Sequence, residues 1–554
     1  MGFTSHTFIE AAMQQLEDQT VVRFEKNSRT YRVDAGSLKK MIAMGLAQLP
    51  IESIALLEIP ETAQEEPDVL FSNEPEELDI SNRLTEFFPG YFVAALYELQ
   101  SLLKRSNFKA YVIGGIVRDL LIYQERRLDL MDVDITVEGS ASDCCRFIVA
   151  NSRNFTMVEE FPEFGTAKLQ YKESIAFDIA STRTEIYAKC GALPTVVERG
   201  VPLAQDIIRR DFSLNTLALS IHELGKLLDH MGGVADIENR LIRVLHPASF
   251  FEDPSRILRV LKFAARLDFN ISSATFQLLN MFLAHGASVY RGGGERIKQE
   301  MRSLFRAPET PAKRNILLTF LDLQGIRLIN MDLTISEDTT QFLKNTFIRA
   351  SDRLPDVLAL LTPKDPKKFL WEIYLSLMGL AIEESDFLES ANRLVLSKAE
   401  RDLVEKCREI TKMNALDSIQ EQSSPVDIYE VFNPHQTASI AAAILLEEDP
   451  QRYATLINAL QTYIRKWKDV RLELNGKDLI ELGLPEGEQI GIVLEQLLHH
   501  KLLGRLEDQL AEVHFVKKLI AEITDDDYSE SEKTELHQSN DLPLDEAIKR
   551  VSQD

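Results

Sequence analysis

The chain has 554 residues, 45% of them hydrophobic and 27% charged, with a formal net charge of −25. Such a length holds several domains with ample core. The four cysteines, at 144, 145, 190 and 407, lack the paired spacing of a zinc site or a disulfide framework. No apolar run approaches the roughly 18 residues that cross a bilayer, and the first 20 residues lack a basic stretch followed by an apolar one. A cytoplasmic, untargeted protein with reduced thiols is the expectation.

The charge is unevenly placed. Residues 1–100 hold 7 Lys+Arg against 17 Asp+Glu, and 521–554 hold 3 against 11, so the two ends carry most of the deficit. Residues 205–306 hold 14 against 11 and are locally basic, which leaves room for a polyanion in mid-chain. In chain order, residues 1–95 read as an acidic extension. They close on IPETAQEEPDVLFSNEPEELD, which has no apolar period and reads as a linker. From 96 to 240, strand-like segments (AYVIGGI, VDITVEG, GTAKLQY, IAFDIAST) alternate with helix-like ones, as in an α/β unit. From 250 onward apolar residues fall three and four apart almost throughout, in LRVLKFAARLDF, KFLWEIYLSLMGLAI and IGIVLEQLLHHKLLGRL among others, so the rest is helical. Residues 523–554 are polar and acidic, and disorder is expected there.

YVIGGIVRDLLIYQERRLDLMDVDITVEG, residues 111–139, carries the first chemistry. Gly114 and Gly115 lie between a strand and a helix, where backbone N–H groups can approach a phosphate, with Arg118 one turn further on. Asp132 and Asp134 then stand two apart on a strand. They share a face at a spacing of roughly 7 Å, an arrangement that a cation such as Mg²⁺ relieves of its repulsion. Asp178 in IAFDIAST can face the same metals, and three carboxylates on neighbouring strands suit two-metal phosphoryl transfer. In DIIRRDFSLNTLAL, Arg209, Arg210 and Asp211 read as the start of a helix; the arginines can clamp a triphosphate and Asn215 can hold a ribose hydroxyl. In FFEDPSRILRVLKF, Asp253 reads as an N-cap with Pro254 at the first helical position, and Asp253, Arg256 and Arg259 share one stripe. A carboxylate accepts and a guanidinium donates, so the Asp–Arg pair matches the amino donor and ring-nitrogen acceptor of cytosine or adenine and disfavours uracil and guanine. His499 and His500 are adjacent in a helix and point different ways, as surface or partly buried residues do.

The ordered series GGIVRD, DVD, FDIASTR, RRDFSLN, EDPSRILR and GGGERIKQEM resembles the class II tRNA nucleotidyltransferases and bacterial poly(A) polymerases of the polymerase-beta superfamily, over about residues 96–520. LNGKDLIELGLPEGEQIGIVLEQLLHHKLLG, 474–504, resembles the tail of bacterial members. The resemblance implies an α/β nucleotidyltransferase head with a five-stranded mixed sheet at 96–240. All-α neck (241–310), body (311–470) and tail (471–522) domains would follow and hold the acceptor and T arms of tRNA. It implies metal binding by Asp132 and Asp134, with Mg²⁺ as cofactor and ATP or CTP as substrate. Asp178 stands where an acidic residue helps to activate the primer hydroxyl. Gly114, Gly115 and Arg118 match the phosphate turn, and Arg183 closes the FDIASTR match at the nucleotide. Arg210, Asp211 and Asn215 match the triphosphate and ribose segment, and Asp253, Arg256 and Arg259 the base-reading helix. Upstream, SLKKMIAMGLAQLPIESI is either a helical extension or a segment that resembles the opening of a CBS domain.

Within that family CCA, CC or A addition all remain open. The EDPSR, FGTAKL and C-terminal helical stretches resemble the A-adding branch, which works beside a separate CC-adding enzyme. Poly(A) polymerase is the alternative, and a non-catalytic RNA-binding protein of the same fold is the alternative from another class. None of the ten histidines precedes an Asp, so a fused HD phosphohydrolase is excluded.

Overall fold

The computed structural model describes residues 74–123, 132–172 and 174–526, together with a short antiparallel pair, β1 (Val22–Lys26) and β2 (Arg29–Val33). The CBS-like segment and residues 527–554 of the acidic C-terminal stretch lie outside the described residues, while 523–526 end a helix, Gln509–Asp526, rather than being disordered. Contacts divide the chain into two units, residues 1–344 with 384–396 and residues 345–383 with 397–554.

The first unit contains a mixed sheet of eight strands in the order β3-β12-β11-β4-β5-β8-β7-β6. These are β3 (Glu76–Asp79), β4 (Lys109–Ile113), β5 (Asp132–Glu138), β6 (Phe155–Phe161), β7 (Thr166–Tyr171), β8 (Ile175–Ser181), β11 (Ala218–Ser220) and β12 (Lys226–Asp229). A separate hairpin is formed by β9 (Arg183–Ile186) and β10 (Thr195–Arg199). Five strands were expected, and the difference lies in short pieces. β11 has three residues, β12 four, and β3 is the sequence EELD, with two glutamates and an aspartate in four positions. None of these has the alternation that marks a strand in isolation; each becomes one by pairing with its neighbour. Because β3 pairs with β12 from Lys226↔Asp79 to Asp229↔Glu76, the sheet of the head reaches back at least to Glu76, ahead of the boundary expected at 96. Part of the expected linker is therefore an edge strand.

The central strands show why one face of the sheet carries chemistry. In β8 (IAFDIAS) Ile175, Phe177, Ile179 and Ser181 are buried while Ala176, Asp178 and Ala180 are half-exposed. In β5 Val133, Ile135 and Val137 are buried and Asp134 is exposed. Helices α1 (Ser81–Phe87), α2 (Gly90–Leu103), α3 (Gly115–Ile122) and α4 (Ala141–Asn151) surround the sheet. Phe92 of α2 stacks on Phe177 of β8 at 6.2 Å between ring centroids, and Leu96, Leu99, Cys144 and Ile148 join the same core. Burying the apolar side of β5 and β8 under α2 and α4 leaves the carboxylates on the other side.

Beyond the sheet the chain runs through α5 (Leu203–Ile207), α6 (Gly233–Glu238), α7 (Ser249–Glu252), α8 (Ser255–Leu267), α9 (Ser273–His285), α10 (Glu295–Phe305) and α11 (Pro311–Asp322). A short parallel pair, β13 (Leu241–Ile242) and β14 (Asn270–Ile271), sits between them. Helix α8 is strongly two-sided, with Ile257, Leu258, Val260, Leu261 and Ala264 buried, and it ends on Asp268 in the left-handed conformation.

The second unit is helical among its described residues. A Ser397–Glu400 capping box starts the helix Lys398–Lys412, and an Asn475–Asp478 box starts Gly476–Glu481. Leu474, Leu479, Leu484, Val493, Leu497 and Val516 form a separate core toward the C-terminus. Glu512, fully buried, joins that core's ends: it accepts the N–H groups of Glu473 (2.9 Å) and Leu474 (2.9 Å) and pairs with Lys501 at 2.6 Å. His499 meets Glu430 at 3.1 Å, while His500 packs on Phe515, so the two histidines do face different neighbours. All four cysteines are buried and free. Among the described residues no helix is long and apolar enough to cross a membrane.

Candidate active site

Asp134 and Asp178 are register partners across the parallel pair β5–β8, which sets their backbones about 4.8 Å apart. Asp132 opens β5 opposite Ala176, two residues before Asp134; its side chain lies outside the described residues. On the far side of β8, Lys168 of β7 is the register partner of Asp178, and its ammonium lies 3.3 Å from the Asp178 carboxylate. Gly114 follows β4 and precedes α3 beside this row. Its φ of +84° and ψ of −145° belong to a region that only glycine occupies cheaply, and a Cβ there would lie 3.5 Å from the Asp134 Oδ2. The turn thus brings backbone, rather than a side chain, against the acid.

Hard carboxylate oxygens clustered on an exposed sheet face are the donor set that suits Mg²⁺. The residues present therefore fit the cation that the DVD pattern implies.

Arg118, read from sequence as facing a phosphate, is 2% exposed. Its Nε and Nη2 donate to Asp119 (2.8 and 2.6 Å), its Nη1 donates to Asn215 (2.9 Å), and its guanidinium lies 5.0 Å from the centroid of the Phe263 ring. Asn215 donates in turn to Asp211 at 3.1 Å, and Arg259 bonds the other Asp211 oxygen. Burial pushes the Asp211 carboxyl up, yet Arg259, Asn215, Arg256 and the Phe212 N–H together hold it below the ordinary aspartate range. Arg118, Asn215, Asp211 and Arg259 therefore form an internal network joining α3 to α8, rather than four separate ligand contacts.

The RRD segment does not open a helix. Helix α5 ends at Ile207, Phe212 is extended, and a single 3₁₀ turn spans Ser213–Asn215. The Asp211 side chain accepts the N–H of Phe212 at 2.9 Å, a local bond that competes with helix formation. Asp206, unremarked in the sequence pattern, organises this segment. It is fully buried and takes paired hydrogen bonds from Arg209 (2.9 and 2.7 Å) and Arg210 (3.1 and 2.7 Å), plus the N–H of Arg183 at 3.0 Å. Burial raises its pKa, and the two guanidinium groups overcome that and lower it. Glu185 pairs with Arg183 (2.6 Å) and Arg209 (3.6 Å). Three arginines around two buried carboxylates leave a positive, pre-oriented cluster suited to a polyphosphate.

The stripe expected for Asp253, Arg256 and Arg259 also changes. Helix α8 starts at Ser255, so Asp253 and Pro254 stand one position earlier than the N-cap reading had them. Asp253 accepts from Ser255 N and Oγ (3.0 and 2.6 Å) and pairs with Arg296 at 3.0 Å. Arg256 is buried and donates to Ser249 Oγ (2.9 Å), Glu252 (3.3 Å) and the Arg209 carbonyl (2.8 Å), while Arg259 turns to Asp211 and Glu300. The three side chains serve three partner sets because the packed surroundings of α8 cover more than one of its faces. Lys168, Glu185, Asp206 and Arg296 escaped the sequence reading. Lys168 lay within FGTAKL, Asp206 within DIIRRDFSLN and Arg296 within GGGERIKQEM, but none of these stretches marked the residue itself.

Much of the basic charge of 205–306 is also met by acids of the same chain, some buried and some at the surface. Besides the pairs above, Arg243 pairs with Asp236, Arg240 with Asp268 and Lys262 with Glu300.

The sheet and its carboxylate row define an α/β head with an acidic face suited to a divalent cation. Residues 110–243 match the family model described as the Poly A polymerase head domain. The A-adding tRNA nucleotidyltransferase of Geobacter sulfurreducens is 30% identical over 453 residues, which cover 80% of this chain and 48% of that protein. That of Aquifex aeolicus is 30% identical over 397 residues, covering 70% and 44%. The chain thus spans about half the length of these curated relatives. A solved CCA-adding enzyme in an apo form superposes with a TM-score of 0.65 at 25% identity, over 80% of this chain and 99% of that one.

Proposed function

We propose that this chain is a template-independent tRNA nucleotidyltransferase that adds AMP to the 3′ end of tRNA. The observation that carries the reading is the row of Asp134 and Asp178 in register beside the Gly114 turn. The RNA 3′-oxygen attacks the α-phosphorus of ATP, the bond to the β-phosphate oxygen breaks, and pyrophosphate leaves. Asp132 and Asp134 would hold Mg²⁺, which when bound would supply charge stabilisation at the reacting phosphate. Asp178 accepts the hydrogen bond of the 3′-hydroxyl. Gly114 and Gly115 let the triphosphate approach the backbone, and Arg183, Arg209 and Arg210 answer its charge in the orientation set by Asp206. Arg118, Asp211, Asn215 and Arg259 act from inside the fold by fixing α3 against α8, while Asp253 and Arg256 stand at the start of α8, where the base would be read.

The helical part would take the acceptor and T arms of tRNA by shape and backbone contact, in the cytoplasm, after a separate enzyme has added CC. The A-adding choice is supported by the names of the two relatives at 30% identity. Poly(A) polymerase activity on general RNA ends is the second reading, favoured by the match of the head. The test is incorporation of labelled CTP or ATP, each alone, onto tRNA ending at the discriminator base, at C and at CC, with Asp134→Asn as control. AMP on the CC-ending tRNA alone is expected, and Asp134→Asn should fall at least about 100-fold. CMP incorporation would overturn the A-adding reading, long A tails on unrelated RNA would favour the polymerase, and no signal dependent on Asp134 would leave a binding protein.

A further inference from the structure

We propose that Lys168 is a positioning residue of this site: its ammonium holds Asp178 for the RNA 3′-hydroxyl and keeps it out of the divalent-cation site at Asp132 and Asp134. The proposal rests on the transfer reading above and adds to it a residue that no sequence pattern singled out.

The geometry is set by the sheet. Asp134, Asp178 and Lys168 occupy one rung across β5, β8 and β7, since Asp178 is the register partner of both neighbours. The alternation of β7 buries Ala167, Leu169 and Tyr171 and sends Thr166, Lys168 and Gln170 to the other face, the one that carries Asp178. Asp178 therefore stands between an acid and a lysine. With only Asp134 beside it, its carboxylate would be drawn into sharing the cation that relieves their repulsion. Lys168, 3.3 Å away on the opposite side, offers a competing cation that is part of the chain. An ammonium is a compact point charge with three donors, so it can hold one carboxylate oxygen and leave the other to accept from a hydroxyl. Lys168 and Asp178 are 36% and 43% exposed, so both remain within reach of an RNA end.

The separation of duties follows from charge. Two carboxylates bind the metal, and the third, already paired, stays a hydrogen-bond acceptor. Removing the lysine charge makes the site one unit more negative and frees Asp178 to join the metal ligands. Metal binding should tighten and transfer should slow, two effects of opposite sign that a merely structural lysine would not produce.

The test uses the full chain with Lys168→Met and Lys168→Arg. Mn²⁺ titration by electron paramagnetic resonance, without nucleotide or RNA, should show Lys168→Met binding at least about twentyfold tighter than wild type, beyond the roughly fivefold that loss of one unit charge about 8 Å from a divalent ion gives in a water-like dielectric. Lys168→Arg should bind as wild type does. AMP transfer should then show kcat for Lys168→Met lower by about tenfold or more with KM for ATP within about twofold, and Lys168→Arg should recover most of the rate. In the Asp178→Asn background Lys168→Met should keep only that roughly fivefold charge effect on Mn²⁺ binding, because the remainder acts through Asp178. Unchanged Mn²⁺ binding, an unchanged kcat, or an equal effect with and without Asp178 would each overturn the proposal. If the wild type transfers nothing to RNA, the transfer reading fails on its own, and the Mn²⁺ titration still decides what Lys168 does to Asp178.

Discussion

Replacing Asp206 by Asn tests the idea that one buried carboxylate orients the arginine cluster. Asn keeps the volume and can still accept from the N–H of Arg183. It loses the charge, and its amide hydrogens face two guanidinium groups that only donate. Removing one partner of a buried ion pair costs about 3–5 kcal/mol. Because the Arg209 and Arg210 side chains are each 19% exposed, water takes part of their charge, and the low end, about 3 kcal/mol, is the expectation. That is a large share of the roughly 5–15 kcal/mol that holds a domain together. For a unit of this size, above about 250 residues, it corresponds to a fall in Tm of roughly 4–5 °C. The pH dependence has a definite sign. Burial pushes the Asp206 carboxyl up, but Arg210 and Arg209 outweigh it, so its folded pKa lies below its unfolded value of about 3.9. Its contribution is fully present above that value and is lost as pH falls through it toward the folded pKa. The assay is differential scanning calorimetry of wild type and Asp206→Asn from pH 7 to pH 3, with KM for ATP at neutral pH. The gap in Tm should be constant from pH 7 to about 5 and close below about pH 4, and KM should rise as the arginines lose their orientation. A variant within about 2 °C of wild type at pH 7, or a gap that widens on acidification, would refute the reasoning.

Two further changes probe the turn and the C-terminal core. Gly114→Ala forces a side chain into φ +84° beside Asp134, so a loss of about 1–3 kcal/mol and at least a tenfold loss of AMP transfer are expected from urea unfolding and steady-state kinetics. Wild-type stability and rate together would show that the turn tolerates a Cβ. Glu512→Ala strips the buried acceptor from two N–H groups and from Lys501, so about 3 kcal/mol of local stability should go, read as faster hydrogen exchange across residues 473–516. Glu512→Gln keeps an acceptor for the N–H groups and should lose less; equal exchange in both variants would assign the effect to something other than those bonds.

The local patterns were legible wherever a residue's setting depends on its near neighbours in the chain. Alternation in DVDITVE and IAFDIAS placed the acids on the face opposite the core, because strand periodicity is a backbone property. The Gly114 turn was legible for a like reason, since few conformations join a strand to a helix so tightly. The helical character of the chain beyond residue 250 followed from apolar spacing alone.

Tertiary structure decided what depends on partners distant in sequence. No local signal marks EELD as a strand, since its hydrogen bonds come from β12, some 150 residues later. Arg118 pairs across 97 positions with Asn215, and Arg259 across 48 with Asp211, so whether those arginines face a ligand or the interior was unknowable from their spacing. Lys168 belongs to the site only because β7 lies beside β8 in that register. The sequence by itself determined which side chains could do chemistry and which face of each element they share, because those follow from the covalent geometry of the chain. Packing determined which charges neutralise one another and which remain for a substrate, because an ion pair is settled by burial and distance in three dimensions.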